Sequence, residues 1–322
     1  MKFEITLDIV GKRKIFLIGS GVLNGIAILA IIIFGFKLSI EFTGGSKLEV
    51  VSANGQRIDV KKLESVIEAQ KINVVTIQQS RPAEAIIRTD TISDGQKNQI
   101  LAKTSQSGID LKEVSFDTLG PVIGTEAKVN ALKAAGLAII AITLYIAFAF
   151  RKVSKPVSSW KFGISAIVAL AHDVLMVLGA FSLFGLFFGV EIDSLFITAI
   201  LTIMGFSVHD TIVVFDRIRE NIIKNVHNKS FEEVVNNSFN ETLARSLNTS
   251  LTVILVLFAL LLFGGESVRW FIVAFLIGLI TGTYSSIFIA SAVLVEWYQA
   301  EKRGFSVKKL IGSIKPQGFR KK

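Results

Sequence analysis

Six stretches of the 322-residue chain are apolar for long enough to cross a lipid bilayer. A spanning helix needs about 20 mostly apolar residues to cover roughly 30 Å of hydrocarbon. No water is available there, so every backbone N–H and C=O must be satisfied internally, which confines such stretches to helices. The candidates run from Ile15 to Phe36, Leu132 to Phe150, Phe162 to Phe188, Ser194 to Phe215, Leu247 to Phe263 and Phe271 to Trp297. The third and sixth are long enough to tilt. Composition agrees, with 51% hydrophobic and only 19% charged residues, where a soluble chain carries about 25% charge. The first run is too long for a signal-peptide core and has no small-residue cleavage site at its end, so it reads as an uncleaved span.

The net charge of +9 does not indicate a nucleic-acid partner, because the basic residues cluster at the ends of the apolar runs. That is the pattern of cytoplasmic loops. Lys12, Arg13 and Lys14 precede the first span; Arg151, Lys152, Lys155 and Lys161 lie between the second and third. Arg217, Arg219, Lys224 and Lys229 follow the fourth, and Lys302, Arg303, Lys308 and Lys309 follow the sixth. The opposite turns are poor in positive charge: Val190 to Asp193 holds Glu191 and Asp193, and Gly264 to Arg269 sets one arginine against Glu266. Both termini are therefore expected in the cytoplasm. The organisation is a cytoplasmic N-terminus and first span (1–36), an outer domain (37–128), the remaining five spans (129–300) and a basic cytoplasmic tail (301–322). Residues 216–246 read as a polar cytoplasmic segment of helical spacing near the membrane surface.

The outer segment has the periodicity of a small soluble α+β domain. Lys47 to Ser52 alternates like a strand, and Asp59 to Lys71 has Leu63, Val66 and Ile67 at helical spacing behind a capping aspartate. Val74 to Gln78 and Ala85 to Thr89 predict two strands around a turn at Arg81-Pro82, Ser93 to Ser105 a second helix, and Val114 to Phe116 a closing strand. Strand-helix-strand-strand-helix-strand is the ferredoxin-like order. The fold class is thus a six-helix polytopic membrane protein with a ferredoxin-like outer domain.

An ionisable residue at mid-membrane costs at least about 2.5–3.5 kcal/mol and needs a reason to be there. Asp210 lies inside the fourth span, on one helical face with Ser207, Val214 and Arg217. Its carboxyl has two accessible states, neutral in low dielectric or ionised beside a cation or water. That suits a proton relay; the alternative is a buried acid that only bonds a neighbouring helix. Arg245, at the start of the fifth span, is either its cationic partner or a positive-inside anchor that snorkels to the surface. His172-Asp173 in the third span is a second pair, again either a relay or a packing contact, and His209, Asp216 and Arg217 fall under the same two readings. The histidines lack the ligand spacing of a metal site, and there are no cysteines, so no metal or cofactor is expected. Phe42-Thr43-Gly44-Gly45-Ser46 follows the first span; its adjacent glycines allow backbone conformations closed to other residues, the alternative being a flexible hinge, and it lacks the lysine of a phosphate loop. Gly278 and Gly282 have the small-residue spacing of helix packing in membranes.

The string from Phe206 to Asn221 (FSVHDTIVVFDRIREN) resembles the fourth-span signature of the SecD/SecF family, in its smaller-subunit branch. Phe42 to Ser46, Ala169 to Gly179, and Gly264 to Leu294 with Gly-Gly-Glu-Ser and Gly-Thr-Tyr-Ser-Ser agree with it, so the resemblance covers essentially the whole chain. It implies a proton-driven protein of the resistance-nodulation-division superfamily in the bacterial inner membrane, without enzymatic bond chemistry. Such a subunit uses the proton-motive force, with SecD, to complete export of polypeptides through SecYEG. The implied partners are SecD, the SecYEG channel, YajC, unfolded exported polypeptides and membrane lipid, with no nucleic acid. The family's intramembrane aspartate falls on Asp210 and its fifth-span arginine on Arg245, while His209 stands where asparagine is expected. Two rival readings are a small-molecule exporter of the same superfamily and a scaffold of the export channel without ion coupling. An outer domain of roughly 90 residues leaves little room for an exporter's pockets, and the cost of Asp210 weighs against a bare scaffold.

Charge asymmetry predicts the topology directly. In intact, outer-permeabilised cells an impermeant thiol reagent should label Ser93→Cys and leave Lys229→Cys protected. The reverse pattern would invert the chain.

Overall fold

The computed structural model describes residues 7–150, 157–224 and 229–303. Arg151, Lys152, Lys155, Lys308, Lys309 and most of the tail 301–322 lie outside the described residues. The six long apolar helices are α1 (Ile9–Phe34), α5 (Pro121–Ala149), α6 (Ser159–Phe188), α7 (Ser194–Lys224), α8 (Phe231–Phe263) and the pair α9 (Arg269–Tyr284) and α10 (Ala290–Lys302). Between α9 and α10 the helix widens into a π turn, Ser285–Ile289, where the Ala290 N–H bonds the Ser285 carbonyl. A short turn, α2 (Ile40–Thr43), precedes the outer domain.

All six spans are longer than their apolar cores. The helical spacing read at 216–246 is present as extensions of two spans. The helices run straight on: α7 continues to Lys224, and α8 begins at Phe231. The start of α8 is set by a reciprocal cap, in which Glu233 N–H donates to Ser230 Oγ at 3.3 Å and Ser230 N–H donates to Glu233 Oε2 at 2.9 Å. Polar side chains hold the two extensions together: Arg217 pairs with Glu241, and Asn221 Nδ2 donates to Ser238 Oγ at 3.0 Å and to Glu241 at 2.9 Å. Val235 and Phe239 are buried along α8. A sequence window tuned to hydrophobicity cannot register a helix that continues on polar contacts.

The chain divides into two compact units. The first comprises residues 1–33, 138–180 and 198–322. Within it Phe150, Phe162 and Phe215 form an aromatic cluster with ring centroids 5.2–5.9 Å apart. Arg13 reaches Glu296 at 2.8 Å and Gln299 at 2.7 Å, tying α1 to α10.

The second unit comprises residues 34–137 and 181–197. Its strands β1 (Gly45–Ser52), β2 (Val74–Arg81), β3 (Glu84–Thr89) and β4 (Leu111–Leu119) form an antiparallel sheet in the order β2-β3-β1-β4. With α3 (Val60–Glu68) and α4 (Asp94–Gln106) this is the ferredoxin-like arrangement read from the sequence. The caps also fall where expected: Asp59 Oδ1 accepts from Lys61 and Lys62 N–H at 3.1 and 3.2 Å. Ser93 and Gln96 form a capping box on α4. Alternation sends Leu48, Val50, Ala85 and Ile87 to one face, where they pack on Leu63, Ile67 and Ile100. The opposite face carries Arg88, which pairs with Glu191 in the α6–α7 turn. Burial draws the Arg88 pKa down to about 10 against the pull of Glu49. Gln78 Nε2 donates to the Phe188 carbonyl at 2.9 Å, and Leu38 and Ile192 form a parallel bridge with bonds of 2.8 and 2.9 Å.

A fragment of residues 40–125 should unfold cooperatively in water, because its helix-covered face is a complete core. Ile87→Ala, at a side chain with no exposure, should cost about 2–5 kcal/mol in a denaturant titration. A non-cooperative transition would remove the reading of an autonomous domain.

Candidate functional site

Ser, Thr, Asp and His side chains in apolar helices gain from partners on their own or neighbouring helices, since hydrocarbon offers none. The first unit gathers them in one network. His172 and Asp173 of α6 are both buried, and Asp173 is wholly so. His172 Nδ1 lies 3.0 Å from Asp173 Oδ1. Ser207 Oγ of α7 and Ser285 Oγ of the π turn donate to Asp173 Oδ2 at 2.5 and 2.7 Å. Thr211 Oγ1 lies 2.9 Å from Ser286 Oγ, and Ser286 Oγ also donates to the Ser207 carbonyl at 3.2 Å.

Asp210 sits beside this network on α7 and is buried. The Ser250 hydroxyl of α8 faces its carboxyl, with His209 as the neighbouring titratable group. Thr283 Oγ1 donates to Ser250 Oγ at 2.7 Å, which links the Asp210 surroundings to α9. His209 itself points out of the unit and is exposed.

Arg245 does not meet Asp210: it is exposed and forms no ion pair with it among the described residues. It lines a cleft of about 450 Å³ between the α7 and α8 extensions, with Val213, Asp216, Arg217, Glu220, Glu241 and Thr242. Arg217 is held there by Glu241 and by Glu220, the latter at 2.6 Å, and Asp216 pairs with Arg219 at 3.2 Å.

The glycines make close contacts. A Cβ on Gly278 would collide with the Ile203 side chain, and one on Gly282 would lie 3.2 Å from Ser207 Cβ and 3.6 Å from Asp173 Oδ2. In the second unit, Phe42 is buried in α2, where Thr43 Oγ1 donates to the Ser39 carbonyl at 3.1 Å. Gly44 and Gly45 have φ of 74° and 112°, and a Cβ on either would strike the backbone of Pro121 or Thr89. Where the sequence left a flexible hinge as the alternative, the two glycines form a tightly packed turn, because only residues without Cβ fit.

Residues 98–300 match the family described as "Protein export membrane protein SecD/SecF, C-terminal", and residues 29–52 match its "GG Motif", which contains Gly44-Gly45. The chain belongs to the SecD/SecF family. Among its relatives, the protein translocase subunit SecF of Thermobaculum terrenum is 42% identical over 306 residues, covering 90% of this chain and 94% of the relative. The SecF of Anaerolinea thermophila is 38% identical over 304 residues, covering 93% and 96%. The crystal structure of SecDF from Thermus thermophilus, a translocon-associated membrane protein, is similar with a TM-score of 0.80 at 33% identity. It covers 93% of this chain, which spans only 40% of that longer chain. Membership makes this a multi-pass protein of the bacterial inner membrane, working in protein export.

Sequence reasoning singled out both buried acids and Ser207, and placed Thr283, Ser285 and Ser286 only within a family string, without their contacts to the acids' surroundings. Ser250, Thr283, Ser285 and Ser286 lie on three neighbouring elements, and their signal was a run of hydroxyl residues within apolar helices. Close packing at Gly282 is testable. Gly282→Leu should wedge α9 from α7 and cost about 1–3 kcal/mol, seen as a lower midpoint of thermal aggregation in detergent. Gly205→Leu, facing open space, should stay near wild type. Equal midpoints would remove the close-packing reading.

Proposed function

We propose that this chain is the SecF-type subunit of the bacterial protein-export machinery. With a SecD-type partner, it uses the proton-motive force to complete polypeptide transfer through the Sec channel. The observation that carries the coupling reading is Asp210: a buried carboxyl on a spanning helix, faced by the Ser250 hydroxyl and not paired with any arginine or lysine among the described residues. Enclosure among apolar helices suits the neutral acid, because the ionised form carries the larger desolvation cost. The ionised form needs a positive charge. Arg245 is five residues before Ser250 on the same helix, about 7.5 Å along its axis and about 140° around it, so a movement of α8 against α7 is needed to bring the guanidinium to the carboxylate. Loss of the proton would then draw the guanidinium inward. At an effective dielectric near 20, a pair 4 Å apart is worth about 4 kcal/mol. Protonation would release it towards the α7–α8 cleft and let the helices repack. SecD, the SecYEG channel and unfolded polypeptides are the partners this reading requires. The fused SecDF relative supports the first, since one chain there contains the equivalent of this one and more.

Asp210→Asn tests the proposal, because asparagine keeps size and hydrogen bonding but cannot ionise. It should abolish gradient-dependent stimulation of late-stage reporter secretion in inverted vesicles, while leaving insertion intact. Asp210→Glu should retain part of the stimulation. Arg245→Ala should fail at the same step, and the double variant should be little worse than either single one, since both break one coupled unit. Full stimulation in Asp210→Asn would refute the proton reading.

A further inference from the structure

Asp173 has no solvent exposure, yet its carboxyl is bonded from three sides. Ser207 of α7 and Ser285 of the π turn both donate to Oδ2, and His172 faces Oδ1. The two hydroxyls come from different helices, so this one oxygen joins α6, α7 and the α9–α10 junction. An acceptor so far from water cannot give up a donor cheaply. Any rotation or sliding of α7 would leave Oδ2 short of a partner.

The π turn extends this grip to both sides of Asp210. Ser207 lies three residues before Asp210 and Thr211 one residue after it. Ser285 holds Asp173, which holds Ser207, while the adjacent Ser286 meets Thr211 at 2.9 Å and the Ser207 carbonyl at 3.2 Å. In a regular α-helix successive side chains point about 100° apart. The wide turn lets two consecutive hydroxyls serve two neighbouring helices, Ser285 the Asp173 carboxyl of α6 and Ser286 the Ser207–Thr211 stretch of α7, and such turns recur at functional sites. Asp173 makes no hydrogen bond to Asp210 itself, so whatever it does there passes through Ser207. The titratable groups around it are His172 on α6, Asp210 on α7 and Tyr284 on α9, whose ring lies 6.1 Å from that of His172 and whose hydroxyl is 3.1 Å from Ser20 Oγ of α1.

We infer that Asp173 is a positioning residue for the proton step at Asp210: by bonding Ser207 and Ser285 together, it fixes the rotation and depth at which α7 presents the Asp210 carboxyl. The inference rests on the coupling role proposed above, but its test reads Asp210 directly.

The probe is dicyclohexylcarbodiimide, which modifies protonated carboxyls in apolar surroundings. Labelling of the Asp210 peptide is followed by mass spectrometry against pH, using the full chain in inner-membrane vesicles. Ser285→Ala, Ser207→Ala and Asp173→Asn should each change the labelling rate of Asp210 at neutral pH by roughly tenfold, the size of one lost hydrogen bond to a charged group. Each should also displace its pH profile. Ser285→Thr, which keeps the hydroxyl, should restore the wild-type profile. Ser291→Ala, which removes a buried hydroxyl that has no hydrogen-bond partner among the described residues, should leave it unchanged. Should one variant fail to accumulate, the other two read the same displacement. Wild-type profiles in the variants that accumulate would overturn the inference, and so would failure of threonine to rescue, which would reduce Ser285 to a filler of volume. Full gradient stimulation in Asp210→Asn would sink the coupling proposal instead, and the labelling profiles would still decide whether Asp173 positions Asp210.

Discussion

Hydrocarbon cannot hydrogen-bond, and the helix bundle is organised around that fact. A buried carboxyl or hydroxyl in a spanning helix is satisfied by its own helix's carbonyls or by a neighbouring helix. Asp173 is answered by α6, α7 and the π turn; Thr211 by Ser286; Ser250 by Thr283. These bonds impose orientation, which apolar packing among lipid-like side chains supplies only weakly. The small residues at Gly278 and Gly282 complete the arrangement by letting the backbone of α9 approach Ile203 and Ser207.

Charge is treated differently at the two ends of α7. Towards its start, the turn before α7 is short and acidic, and Glu191 is used up by Arg88 of the sheet. Towards its end, α7 and α8 run on together, and their extensions carry a dense set of carboxylates and guanidiniums around an open cleft. Asp210 lies on α7 between Ser207, which bonds the Asp173 network, and Val213, which lines this cleft.

Much of this was legible in the sequence for identifiable reasons. The spans follow from length and hydropathy, which depend on composition alone. The sheet follows from alternation in Lys47–Ser52 and Ala85–Thr89, and the helix starts from Asp59 and Ser93. The helical spacing of 216–246 was legible, but the joining of its two helices to the spans was not, because they are held by Arg217–Glu241 and Asn221–Ser238, contacts between residues about twenty apart on opposite helices. Nor was the separation of Arg245 from Asp210, since spacing along a chain does not say which way a long side chain turns. The tight packing of Gly44-Gly45 was hidden for a similar reason: its neighbours Pro121 and Thr89 are distant in sequence.

The π turn has one more consequence. An α-helix with a single extra residue in one turn is offset by about 100° beyond that point. Upstream of it, α9 presents Gly282 and Thr283 to the polar network. Downstream, α10 presents Glu296 and Gln299 to Arg13 of α1. The inserted residue therefore works as a phase shift between two sets of partners that a uniform helix of this sequence could not serve together. The length of the last span is fixed by this phase as well as by membrane thickness, so the segment tolerates conservative exchange of residues far better than loss of one.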